Sequence, residues 1–382
     1  MKLPLGFRAS GVHAGIKPSG KPDLALLVGD GPLAWALAST ENLVKAPCVV
    51  RNRARAASEQ PVRALLVNAG NANCATGEAG IWDNEDMAAA AAAGLELEKV
   101  QEVLTASTGV IGQRLPIEAV RRGVPAAVAA LGDEVAPFAE AILTTDLVPK
   151  TVEVRLAGGA RVVGVAKGSG MIHPNLATMF AFVLTDAIVD QRWWRRAWAR
   201  TVRRTFNQLT VDGDTSTNDM AIALASQRLP ADPDELAAAL EAVAADLARA
   251  IARDGEGATT LLTVRVRGGR SVDDAMAAAR GVAASSLVKA AVHGRDPNWG
   301  RILSAVGQSG AVADLGAVTV SVQGTPVYRG QPLAFDAAAL SQAMRSTDVL
   351  VEVDLAAGEG QGEAWGCDLS ADYVTINALY TT

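Results

Sequence analysis

Residues 151–184 constrain the fold more tightly than any other part of the chain. Thr151 to Ala166 alternates apolar and polar residues around a Gly158-Gly159 turn, which predicts antiparallel strands over 152–156 and 161–165. Residues 179–184 form an unbroken apolar run of the kind that fills a buried strand. Between them lies the polar, glycine-hinged loop Lys167-Gly-Ser-Gly-Met-Ile-His-Pro-Asn-Leu-Ala177, so Thr178 falls where a loop enters a sheet. A hydroxyl at such a junction is open on one side and dry on the other. A threonine alcohol needs a base to act as a nucleophile. One lies within reach if the Ala177–Thr178 peptide bond is broken, because the freed α-amine sits on the same residue. Read locally, the same residues also describe a glycine-rich turn before a core strand, with Thr178 a strand-start hydroxyl.

The remaining elements are alanine-rich helices set between short strands. Strands are expected over 24–28, 64–67, 261–266, 318–322, 349–355 and 373–379, and helices over 86–98, 233–253, 272–284 and 336–345. The helix over 233–253 has the clearest start: Asp232 caps, Pro233 fits the first position and Glu235 completes a capping box, while Ser271 heads the next helix. Strands and helices arrive in pairs, which points to a layered α+β architecture. Gly168-x-Gly170 lacks the third glycine of a dinucleotide fingerprint and precedes a strand.

Composition excludes several classes of function. With 382 residues, 49% apolar and 20% charged, the chain has material for two or three domains with a large core. Its 41 acidic residues against 35 basic ones give no general attraction to nucleic-acid phosphates or anionic membranes. The one basic segment, Gln191 to Phe206, places Trp194, Trp198 and Val202 on one helical face with arginines opposite, the pattern of a surface helix. No apolar run approaches a bilayer span and no leader is visible at Met1-Lys-Leu-Pro-Leu-Gly, so the cytoplasm is the expected location. Cys48, Cys74 and Cys367 lack metal or disulfide spacing and read as buried thiols. Of three histidines, only His173, five residues before Thr178, is placed to be considered as a base. The oxygen-rich Asp212-Gly-Asp-Thr-Ser-Thr-Asn218 lacks EF-hand spacing and reads as a supporting turn, so no metal or cofactor is expected.

The segment Gly164-Val-Ala-Lys-Gly-Ser-Gly-Met-Ile-His-Pro-Asn-Leu-Ala-Thr-Met-Phe180 resembles the processing signature of the ornithine acetyltransferase family. So do, in order, Gly6 to Lys17, Asn68 to Gly77, Ser107 to Gly112, Thr144-Thr-Asp146, Asp212 to Asp219, Asp254 to Thr259, Asp296-Pro-Asn-Trp-Gly-Arg301 and the ending Gly366-Cys-Asp-Leu to Ile376-Asn-Ala-Leu-Tyr-Thr-Thr382. Ala69, the Cys74-Ala75 order, Leu147 and Thr260 depart from the family pattern, and Thr260 removes an expected basic group.

The resemblance implies a layered α/β/β/α sandwich of the N-terminal-nucleophile-like kind with a smaller C-terminal α+β domain. It implies self-cleavage into an alpha chain, 1–177, and a beta chain, 178–382. The beta chain would carry a helical segment near 190–255 and the C-terminal domain near 260–382. Thr178 would attack the acetyl group of N-acetylornithine and pass it to glutamate. Thr108 and Gly109 would form the oxyanion hole, and Thr145, Lys167, Thr178, Glu256, Asn377 and Thr382 would bind substrate. Two alpha and two beta chains would assemble, and acetyl-CoA is left open as a second donor. Locally, Ser107-Thr-Gly109 also reads as a turn after a helix ending near Thr105, Lys167 and Glu256 as solvated charges, and Asn377 as a strand-end residue. Two other classes share parts of this pattern: an N-terminal-nucleophile amidohydrolase or aminopeptidase, and a non-enzymatic small-molecule binder.

Overall fold

The long strand Leu24–Ser39 decides the architecture, because its two halves belong to different layers. In the computed structural model, which describes residues 1–58, 60–173, 179–311 and 313–379, eight strands make the first sheet. They are β1 (Phe7–Val12), β2 (Leu24–Ser39), β3 (Val62–Asn71), β4 (Val103–Val110), β5 (Lys150–Arg155), β6 (Arg161–Lys167), β7 (Phe180–Ala187) and β8 (Met220–Leu229). The hydrogen-bonded order is β4-β3-β2-β8-β7-β6-β5, with β1 alongside β2. The first half of β2 pairs with β1 and β3 through Leu24–Val28, and its second half pairs with β8 through Ala34–Ser39. A break in register between Val28 and Leu33 lets the strand turn from one layer into the other.

Side-chain alternation then builds the layers. Along β2, Leu24, Leu26 and Val28 face outward onto Met87, Ala88, Ala91, Val120 and Val124. Ala25 and Leu27 face inward, in one cluster with Leu65, Val67, Val165, Phe182 and Ile222. Along β7 the inner set is Phe180, Phe182 and Leu184, and the outer set, Ala181 and Val183, packs with Trp194, Trp198, Val243 and Leu247. The two layers of this sheet therefore meet face to face, and each buries its other face under helices. The outer helices are α2 (Gly77–Gly94) and α3 (Ile117–Ala129) over the first layer and α5 (Gln191–Arg204) and α6 (Pro233–Arg253) over the second, whereas α1 (Pro47–Ala57) and α4 (Ala136–Ala141) send Cys48, Val49, Phe138 and Ala139 into the inner cluster between the layers. This is the expected α/β/β/α sandwich. In α5 the tryptophan face is buried, while Arg203 and Arg204 pair with Asp273 and Glu241.

A second sheet follows, of β9 (Leu261–Gly269), β10 (Thr319–Val322), β11 (Thr325–Arg329), β12 (Asp348–Asp354) and β13 (Gly360–Cys367), ordered β11-β10-β12-β9-β13. One face packs with α7 (Val272–Ala284), α8 (Ser286–His293), α9 (Trp299–Gln308) and α10 (Ala337–Ala343) around its own apolar cluster. The chain then closes with α11 (Ala371–Leu379). No single helix among the described residues is long and apolar enough to cross a membrane; the bent pair α7–α8 passes by length and composition, and its Ala275, Ala279, Val282, Val288 and Val292 lie in this second core.

Several elements differ from the sequence reading. Residues 373–379 form a helix, not a strand. Val374, Thr375 and Ile376 supply β propensity, but Ser370 Oγ accepts the Tyr373 N–H at 3.3 Å and starts helical bonding. The alanine helix begins at Gly77, well before residue 86. The segment before Ser107 is strand β4, paired in parallel with β3, so no helix ends near Thr105. Asp232 does cap α6, but the Glu235 carboxylate accepts the Ala157 N–H at 2.6 Å instead of closing a capping box.

Candidate functional site

The strand ends of the first layer, the loop after β6 and the start of α11 enclose one polar cleft of about 130 Å³. Thr108, Gly109, Thr145, Lys167, Glu256 and Asn377 all line it, although they are spread over most of the chain. Ala177, Thr178 and Thr382 lie outside the described residues. The described chain leaves at His173 and resumes at Met179, and the register partner of Lys167 is Phe180, two residues after Thr178.

Strand β4 delivers Thr108 and Gly109. Gly109 has φ +132°, and a Cβ there would lie 2.3 Å from the Gly70 carbonyl carbon, so only glycine fits between the two strand ends. Asn218, whose motif was read as a supporting turn, ties this corner together by donating to the carbonyls of Ala72 at 2.7 Å and Ser107 at 2.6 Å. Lys167 is buried at the end of β6 and donates to Thr144 Oγ1 at 2.7 Å and Thr108 Oγ1 at 3.3 Å. An ammonium only donates, so Thr108 Oγ1 accepts from it and its own hydrogen is left to donate elsewhere. Burial holds the Lys167 pKa below its ordinary value against the attraction of Asp146. Burial also works against the charge on Asp146, yet Lys167, Lys150 and the Gly168 N–H bring its carboxyl down to about 2.

The loop after β6 is held by carboxylates. Asp212 accepts the N–H groups of Met171 at 2.5 Å and Ile172 at 2.8 Å, with Met171 in the left-handed region at φ +55°. That conformation costs a non-glycine residue ~1–3 kcal/mol, which these bonds offset. Gly170 lies against Glu256, where a Cβ would meet the carboxylate at 2.3 Å. Glu256 Oε2 accepts from Asn377 Nδ2 at 3.0 Å, so α11 is folded back over the cleft, and Thr145 Oγ1 shares a hydrogen with Ser169 Oγ at 2.7 Å. The cleft therefore has a cationic pole at Lys167 and an acidic rim of Asp212, Asp214 and Glu256. Burial, with these three carboxylates nearby, pushes the Tyr373 hydroxyl upward, so it stays protonated at the rim. Sequence reading did not single out Tyr373; its signal was its place four residues before Asn377 on one helical turn.

Of the departures from the family pattern, Leu147 is exposed and uses only its backbone N–H, which donates to Asp254 at 3.1 Å. Thr260 is outside the cleft lining, and its N–H donates to Asp368 at 2.9 Å. The three cysteines are buried and free. Among the described residues no group of three or more His, Cys, Asp or Glu side chains could hold a metal ion.

His173 is not among the cleft-lining residues; its Nδ1 lies 3.0 Å from Thr210 Oγ1. Burial, aided by the nearby Arg280 charge, pushes its imidazole down to about 4 from the usual 6.5. The folded chain thus keeps it neutral where the unfolded chain already binds a proton, so its contribution is whole above pH 6.5 and is lost as pH falls toward 4. His173→Gln is expected to flatten the loss of stability over that window by ~1–2 kcal/mol, after allowance for partial exposure. Melting curves at closely spaced pH values check this, and an unchanged slope would contradict it.

A double-layered β sandwich between helix layers, open at one polar end, is the α/β/β/α architecture that the family resemblance implies. Residues 8–382 match the ArgJ family. The arginine biosynthesis bifunctional protein ArgJ of Thermus thermophilus is 56% identical over 383 residues, covering 100% of both chains. Its counterpart from Deinococcus radiodurans is 57% identical over 381 residues, covering 100% of this chain and 98% of that one. The crystal structure of ArgJ from Bacillus halodurans aligns with a TM-score of 0.51 at 39% identity, covering 53% of this chain and 100% of that one. The chain belongs to the ArgJ family.

Proposed function

We propose that this enzyme of arginine biosynthesis transfers the acetyl group of N-acetylornithine to glutamate through an ester on Thr178. The observation that carries the reading is the convergence of Thr108, Gly109, Thr145, Lys167, Glu256 and Asn377 on one cleft. In the precursor, Thr178 Oγ attacks the Ala177 carbonyl, the peptide nitrogen leaves as the α-amine, and water hydrolyses the resulting ester. Chains 1–177 and 178–382 result. The Bacillus halodurans chain is matched whole by 53% of this one, a share close to that of residues 178–382.

The new α-amine, with an ordinary pKa near ~8, accepts the Thr178 hydroxyl proton. Oγ then attacks the acetyl carbonyl, the Thr108 hydroxyl and Gly109 N–H donate to the oxyanion, and ornithine leaves with the proton. Glutamate's α-amine attacks the acetyl ester and regenerates the alcohol. Lys167 meets the substrate carboxylate, while Glu256, Asn377 and Thr145 hold its other end, with Thr382 completing the site. Acetyl-CoA serves as a further acetyl donor, the cleaved pairs assemble two by two, and the reaction runs in the cytoplasm.

Incubation with N-acetylornithine and glutamate should yield ornithine and N-acetylglutamate in equal amounts. Free acetate without N-acetylglutamate would assign a hydrolase instead. A parallel reaction with acetyl-CoA and glutamate tests the second donor, and native mass measurement tests the assembly.

A further inference from the structure

Beneath the cleft lies a buried charge cluster without a role in the scheme above. The side chains of Lys150, the first residue of β5, and Asp146 have no exposure, and that of Asp254 has 7%. An ammonium has three hydrogens to donate and no lone pair. Lys150 Nζ places them on Asp146 Oδ1 at 2.7 Å, Asp254 Oδ2 at 2.6 Å and the Val148 carbonyl at 3.3 Å.

Each carboxylate also grips backbone at the cleft. Asp146 accepts the N–H groups of Thr144 at 3.1 Å and Gly168 at 2.5 Å, and Asp254 accepts that of Leu147 at 3.1 Å. Asp254 precedes Glu256 by two residues, and the Glu256 N–H donates to the Ser169 carbonyl at 2.9 Å. The segments 144–147, 167–169 and 254–256 thus converge on a single nitrogen. Buried ion bridges seldom add net stability over apolar packing, because desolvation offsets the attraction. Stability alone therefore gives little reason for one here, whereas a fixed spacing between three binding segments does.

We infer that Lys150 is a positioning residue: through Asp146 and Asp254 it sets the distances between Thr145, Lys167 and Glu256, and so the length of amino-acid substrate the cleft accepts. The inference rests on the proposed function for the substrate and on geometry alone for the positioning. Lys150 touches no reacting atom; it acts through the backbone its partners hold. A misplacement of ~1 Å at a substrate-holding group costs on the order of 10²-fold in kcat/KM.

The test uses the full-length protein with two variants. K150M/D254N removes one cation and one carboxylate together, so the buried net charge is unchanged; D254N alone frees only one arm. Hydrogen exchange is followed by peptide mass, with acetyl transfer from N-acetylornithine measured alongside. In the double variant, amides over 144–147, 168–169 and 254–256 are expected to exchange about tenfold faster or more while β7 stays protected. The KM for N-acetylornithine should rise more than kcat falls. D254N should loosen 147 and 254–256 and leave 144 and 168 protected, which decides the matter even if the double variant fails to fold. Uniform acceleration across the whole fold, or unchanged exchange in the three segments, overturns the inference. Absence of acetyl transfer by the parent protein would sink the proposed function and leave the exchange result to judge Lys150.

Discussion

Thr178→Ala should give a protein that stays one chain on denaturing mass measurement and has lost acetyl transfer by on the order of 10⁶-fold, the scale seen when acyl-transfer enzymes lose their nucleophile. Both effects follow from one oxygen. Without Oγ nothing attacks the Ala177 carbonyl, so the α-amine that would act as base is never released. Thr178→Ser keeps an alcohol and should restore both cleavage and turnover, at reduced rates. The two readouts separate the competing classes: a hydrolase also loses cleavage, but its parent protein releases acetate, and a simple binder shows one chain length and one affinity in parent and variant. Intact parent material that turns over at full rate would contradict the assignment of Thr178.

Thr108→Val should leave KM nearly unchanged and lower kcat by about 10²–10³-fold, the usual cost of one oxyanion donor. The argument is geometric. Lys167 occupies the acceptor side of Thr108 Oγ1 at 3.3 Å, so the hydroxyl hydrogen is directed away from it. Valine keeps the shape and removes that donor. Gly109→Ala probes the neighbouring N–H differently: at φ +132°, with a Cβ 2.3 Å from the Gly70 carbonyl carbon, the ends of β3 and β4 must part. It should lose stability as well as rate, whereas Thr108→Val should lose rate alone. If Thr108→Val turns over within a few-fold of the parent, the hole is made elsewhere.

The depth to which the sequence could be read depended on the range of the interaction involved. Leu24–Val28 and 179–184 show their period-two or apolar patterns within a few residues, and Asp232 and Ser271 cap helices by bonds to amides two or three residues away, so these were legible. Residues 373–379 misled because β-branched side chains fix propensity but not pairing, and whether a strand forms depends on a neighbour far off in the chain. The long reach of β2 into the second layer was hidden for the same reason: its Ala34–Ser39 half has its partner in β8, almost two hundred residues away.

The sequence alone determined the alternation that makes two β layers and the helices that cover them, because these depend on local period and capping. Tertiary structure decided which groups share the cleft. The bringing together of Thr108, Lys167, Glu256 and Asn377, the binding of Lys150 by Asp146 and Asp254, and the room for Gly109 against Gly70 depend on register and on charges sharing one buried volume. Burial in low dielectric is felt only once distant segments have met, so spacing along the chain carries little trace of it.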